Sequence, residues 1–214
     1  MISVEGDPTF LGYLTRNLAP PAERATVVEG FVGPVGTRVS FSRAGSTGGF
    51  QPGKSSGEHT VEDWVSLASL LEMPTPEDLV VRKSNIDGFD IHVLAHHWNA
   101  IDARCDALWF EYDSPRTLGD PADDERLIQA LAESGRTLLV HDNLERLMVE
   151  LPPGDSAGLR TLSHWLHEQV EGHVVVPYLD VRALTERAKN VLQANYSRVV
   201  DWKIDCARRK TAVH

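Results

Sequence analysis

The stretch LVVRKSNIDGFDIHVLAHHW, residues 79–98, changes structural period partway along. Leu79 to Arg82 is an apolar run of strand length. Lys83, Asn85 and Asp87 then form a polar turn, and Gly88 supplies an unusual backbone angle. From Phe89 to Trp98 the apolar positions recur at helical spacing. The whole predicts a strand–turn–helix unit. Where such units repeat, the expected architecture is a parallel sheet with helices on both faces.

Similar units lie on either side. Ile2 to Val4 reads as a strand, Glu5-Gly6-Asp7 as its tip, and Pro8 as the first turn of a helix. Thr9 to Leu18 carries Phe10, Leu11, Leu14 and Leu18 on one helical stripe. Ala25 to Val32 and Thr37 to Phe41 are expected strands, and Arg43 to His59 a Gly/Ser-rich loop. Val61 to Leu71 reads as a short helix and Ala107 to Tyr112 as a strand. Asp123 to Ser134 is an expected helix stopped by Gly135. Arg136–His141 and Arg146–Leu151 should pair antiparallel around Asp142-Asn143 at one edge of the sheet. A helix over Leu159–Val170, a short strand over His173–Val176 and a mostly helical tail from Val181 to Val200 complete the reading. The expected class is α/β, one domain over residues 1–214, mostly parallel with an antiparallel edge.

Composition narrows the function classes. A net charge of −10 over 214 residues argues against general affinity for nucleic acid or anionic membranes. Cys105 and Cys206 form no CxxC and read as free thiols in a reducing compartment. The first residues lack a secretion signal, and no apolar run has the length of a membrane span, so a cytoplasmic location is expected.

In open parallel sheets, ligands bind at the carboxyl ends of strands. Four tips then matter: Glu5-Gly6-Asp7, Glu29-Gly30-Phe31, Lys83 to Gly88, and Glu111-Tyr112-Asp113. A carboxylate at Glu5 could accept both hydroxyls of a ribose; equally, Glu5 or Asp7 could cap the following helix. Lys83 beside Asp87 could position and deprotonate a hydroxyl, or the segment could be a solvated turn with an Asp cap. Glu111 lies either at the rim of a cleft or exposed at a strand end. His96-His97 reads as a surface pair, since no HExxH or cysteine partner accompanies it, and no metal is expected. Neither GxSxG nor GxxxxGK[ST] occurs.

Taken in order, VEGDPTFLGYLTRNL, ATVVEGFVG, STGGF, VRKSNIDGFDIHVL and ALWFEYD resemble the latter part of FkbM-type S-adenosylmethionine-dependent methyltransferases. The similarity runs from Ile2 to Asp113, and its most specific piece is Lys83 to Val93. It implies a Rossmann-like methyltransferase sheet, S-adenosylmethionine as cofactor, and methyl transfer to a hydroxyl oxygen of a sugar or other small metabolite. It places Glu5, Gly6, Asp7, Gly30 and Phe31 at the cofactor, with Glu5 on the ribose. Lys83, Asp87 and Glu111 fall near the methyl-transfer cleft. Residues 115–214 would shape the acceptor side or an interface, and an exposed sheet edge would favour homo-oligomers.

Two departures stand out. Asn85 replaces an Asp of the family pattern, and a neutral amide cannot act as a general base. The Gly-rich first strand, turn and helix of the family have no counterpart in the chain. A misassigned start or truncation, a strand supplied by a partner, or a sheet that has closed the gap would each account for this. The competing function is therefore a degenerate, non-catalytic relative acting as a binding subunit. A nucleotide-sugar or NAD enzyme is a third class, which also uses an acid at a strand tip.

Overall fold

A computed structural model describes residues 1–19, 25–33, 39–44, 47–51, 59–61, 64–86, 88–171 and 178–195. Of these, residues 39–61, 116, 170 and 171 are described in backbone only. Asp87, Cys206 and the expected strand His173–Val176 lie outside the described residues.

Strand β1 (Ile2–Glu5) leads into α1 (Pro8–Leu18) and then β2 (Thr26–Glu29). Asp7 is the reason α1 starts where it does. Its carboxylate accepts from the backbone N–H of Thr9 at 2.7 Å and of Phe10 at 3.4 Å, and Pro8 fills the first helical turn, where an N–H is dispensable. β1 and β2 pair in parallel, Glu5 opposite Glu29. The apolar stripe of α1 stays only half-buried, and no side chain of the helix is fully covered.

A second sheet, antiparallel, follows from β3 (Val39–Ala44), β4 (Thr47–Gln51) and β5 (His59–Val61), with β3 in the middle. Part of the expected Gly/Ser loop is thus a strand: Thr47–Gln51 pairs with β3 despite its two glycines. Helix α2 (Leu67–Glu72) is shorter than expected and starts at a Ser66 cap.

The principal sheet has five strands in the order β6-β7-β10-β8-β9. These are β6 (Val81–Lys83), β7 (Ala107–Tyr112), β8 (Thr137–His141), β9 (Leu147–Leu151) and β10 (Leu179–Leu184). β6 and β7 are parallel, whereas β10 lies antiparallel to both β7 and β8, and β8 pairs antiparallel with β9. The sheet is therefore mixed rather than mostly parallel. The expected edge hairpin is present, but the start of the expected helical tail is β10, an inner strand. Helix begins only at residue 186 and is described to residue 195.

Helices α3 (Asp90–Arg104), α4 (Ala122–Glu133) and α5 (Ser156–Glu171) supply most of the remaining structure. α4 opens with Asp123, Asp124 and Glu125, whose charge suits the positive end of its dipole. Gly135, at φ +67°, ends the helix region in a conformation that a side chain would strain. One face of the principal sheet, carrying Leu108, Phe110, Val181, Ala183, Leu138 and Val140, is packed with Ile91, Leu94, Ile101, Leu127, Leu131 and Leu166 of these helices. On the other face Ala107 and Leu184 meet Ala188, so the helix after β10 covers the end where β7 begins.

Arg136, 1 % exposed, ties this core together. Its guanidinium donates to the carbonyls of Asp102 (3.3 Å), Cys105 (2.8 Å) and Asp106 (3.5 Å), and to the Asp102 carboxylate (3.0 Å), while lying 5.8 Å from the Trp98 ring. These carbonyls belong to the last turn of α3 and the approach to β7, so the side chain closes the connection from inside. Arg136→Ala should lower the unfolding free energy by roughly 3 kcal/mol, chiefly by leaving buried carbonyls without their donor. Arg136→Lys should recover less than half, since an ammonium cannot span the same acceptors. Urea titration of the three chains measures both; a loss below about 1 kcal/mol would mean that water replaces the guanidinium.

Candidate functional site

Two groups of polar tips result from this architecture. The first surrounds the ends of β1 and β2. Glu5 is half-buried, and its Oε1 accepts from the Asp7 backbone N–H at 2.8 Å. Its carbonyl accepts from the Gly30 N–H at 3.0 Å, which joins the two tips. Gly30 sits at φ +147°, and a Cβ there would come within 2.4 Å of Val65 Cγ2. Gly6 is similarly constrained: a Cβ would lie 2.4 Å from the Phe31 ring, which rests over it. Phe31 meets Trp64 edge-on with centroids 6.5 Å apart, and Trp64 meets Phe89 at the same distance. Thus Glu5, Gly6, Gly30 and Phe31 do converge, and a chain of rings connects them to the turn before α3. Asp7 is buried and serves the N-terminus of α1.

The second group crosses the principal sheet at the carboxyl ends of β6, β7 and β8. Asn85 donates its amide N–H to Glu111 Oε1 at 2.9 Å, which bridges the tips of β6 and β7. In register with Glu111 stand Asp180 of β10 and, beyond it, His141 of β8. Tyr178 borders the same row: burial pushes its phenol up from the ordinary tyrosine value, and the charges of Glu111 and Asp180 push it further.

One step towards the strand starts, a row of alternating character runs from Lys83 to Trp109 to Arg182. The Lys83 ammonium lies 4.8 Å and the Arg182 guanidinium 4.1 Å from the indole ring, distances at which a ring face attracts a cation. Trp109 Nε1 in turn donates to Asp180 at 3.4 Å. Lys83 is therefore directed along the sheet onto Trp109. Two atoms of this face, His141 Nδ1 and Arg182 Nε, are buried without a hydrogen-bond partner among the described residues. Such atoms call for water or a ligand.

Trp109 was not among the expected site residues, although its strand was expected. Arg182, Asp180 and His141 were missed for a clearer reason. LDVRAL, residues 179–184, alternates apolar Leu179, Val181 and Ala183 with polar Asp180 and Arg182, a two-residue period hidden by the expectation of a helical tail. Potential metal ligands His92, His96 and Asp123 lie between α3 and α4, apart from this row. A cavity of about 150 Å³ occurs at the opposite end of the sheet, lined by Thr75, Asp78, Asp102, Asp106 and Arg187. It is smaller than the several hundred Å³ (roughly 300 or more) of a typical organic-ligand pocket.

Comparisons with protein-family models, curated proteins and solved structures return no match for this chain. Among the described residues no helix is long and apolar enough to cross a membrane.

The pairing of Tyr178 with Glu111 has a spectroscopic consequence. Glu111→Gln removes a negative charge that disfavours phenolate, so Tyr178 should ionise at lower pH than in the parent chain. Phenolate absorbance followed through alkaline titration reads this shift, and Tyr178→Phe should abolish it. An unchanged titration would separate the two side chains.

Proposed function

We propose that the chain binds S-adenosylmethionine and transfers its methyl group to a hydroxyl oxygen of a small metabolite. The observation that carries this reading is Glu5, held half-buried at the end of a parallel strand beside Gly6, Gly30 and the Phe31 ring. A strand-end carboxylate is suited to the two hydroxyls of a ribose. One Glu5 oxygen is engaged by the Asp7 N–H, which fixes the carboxylate and leaves Oε2 to accept from a sugar hydroxyl. The flat face of Phe31 suits an adenine ring. The fit among the described residues is thus to the nucleoside end of the cofactor.

The bound cofactor would supply a methyl group already activated by its sulfonium. The chain's part is to hold the acceptor oxygen in line and to take its proton. Positioning of this kind supplies much of an enzyme's acceleration. Glu111, one of whose oxygens Asn85 orients, is the carboxylate assigned to receive the proton. Glu111 would hold the proton given up by the acceptor hydroxyl, with the cofactor's neutral thioether as the leaving group.

A specific observation also favours the second reading, a binding subunit without catalysis. Lys83 is turned onto Trp109, and the residue against Glu111 is the neutral Asn85 rather than a second carboxylate. Calorimetric titration with S-adenosylmethionine and its demethylated product tests the methyl-transfer reading. Saturable binding is expected, weakened about tenfold or more in Glu5→Ala by loss of a charged hydrogen-bond acceptor. A folded chain that binds neither compound defeats the methyl-transfer reading in favour of the second, as does binding without methyl release to any hydroxyl acceptor.

A further inference from the structure

We infer that His92, His96 and Asp123 form a binding site for a first-row transition dication, with zinc the best candidate. His92 and His96 are four residues apart on α3, so their rings project from consecutive turns of one face, with centroids 4.4 Å apart. Asp123 enters from the first turn of α4 and is fully buried. Its Oδ2 lies 2.6 Å from His92 Nδ1 and its Oδ1 3.1 Å from His96 Nε2. One ligand atom from each residue lies within 4.8 Å of the others.

These separations suit a shared ion. With metal–ligand bonds near 2.0–2.1 Å, two ligands on a tetrahedral ion stand about 3.3 Å apart. The His92–Oδ2 and His96–Oδ1 distances, which go to different carboxylate oxygens, need to widen by less than an ångström, and the set as a whole, spread over as much as 4.8 Å, needs to close around the ion. The His92 ring now shares a proton with the carboxylate; an ion would replace that proton, which moves to the outer ring nitrogen or to solvent. A buried carboxylate facing two imidazoles is a nitrogen–oxygen set, which favours zinc, nickel or copper over magnesium or calcium.

The surroundings support the same assignment. Gly119 makes room for His92: a Cβ there would come within 2.5 Å of its side chain. The Asp120 N–H donates to Asp123 Oδ2 at 3.2 Å and orients the carboxylate as an outer partner would. His96 is 48 % exposed, which gives the ion an entry path and leaves a coordination position for water. One group competes. Arg126, half-exposed, donates to Asp123 Oδ1 at 2.5 Å, and it must swing into solvent when an ion arrives. The bound ion would staple α3 to α4 beside the carboxyl edge of the sheet. This site stands independently of the methyl-transfer reading.

The untagged full chain, stripped with chelator, should take up one zinc ion in calorimetric titration and melt at a higher temperature with it. Cobalt in its place should give the intense visible bands of a tetrahedral site. His96→Ala, a substitution at a half-exposed side chain, should weaken uptake at least about tenfold while leaving the fold intact. Arg126→Ala should tighten it, because the competing cation is gone. Absent uptake, uptake indifferent to His96→Ala, or weaker uptake in Arg126→Ala would each overturn the assignment.

Discussion

β10 is hydrogen-bonded on both sides, antiparallel to β7 and to β8, and among the described strands nothing else joins those two. The principal sheet therefore depends on residues 179–184, which come last of its strands in the chain. The entropy of closing these long loops must be met before the pairing rewards it, so sheet completion is a late, non-local event. The same constraint sets the chemistry. Arg182 and Asp180 reach Trp109 and Glu111 only because β10 is inserted there. A strand at an edge would leave these groups on separate rims; an inner strand puts them in one row.

Much of the fold was legible because local rules and tertiary demands agreed. Asp7 and Pro8 announce the start of α1, Gly135 marks the end of α4, and the β8–β9 hairpin lies about where alternation and its Asp-Asn turn suggested. The failures have equally local causes. β10 has only six residues and merges into the helix that follows it, so a single period fitted over the whole tail hides the change. β4 has Gly48 and Gly49 in its middle, and only pairing with β3 outweighs their poor intrinsic preference for a strand. The metal-ligand cluster was illegible for a third reason. The conspicuous pair was His96-His97, but neighbours on a helix diverge; the partner of His96 is His92, and the carboxylate comes from another helix 31 residues after His92.

Asn85 shows how an apparent defect in a motif can still have a structural logic. Its amide donates to Glu111, whereas an aspartate there would face a second carboxylate across about the same 2.9 Å. Two such carboxylates share a proton and titrate as a coupled pair. The amide instead donates to Glu111 and orients it beside Tyr178 and Asp180.

A series of aromatic rings leads from the first group of tips towards α3. Among the described residues, the β1–α1–β2 unit contributes no fully buried apolar side chain. Phe31 and Trp64 share a backbone bridge, the Val65 N–H donates to the Phe31 carbonyl at 2.8 Å, and Phe31, Trp64 and Phe89 stack edge to face in sequence. Each aromatic contact is worth about 0.5–1.5 kcal/mol beyond its burial. Phe89 in turn meets the His92 ring at 6.4 Å. Ring contacts therefore run in sequence from the strand tip beside Glu5 to the α3–α4 cluster.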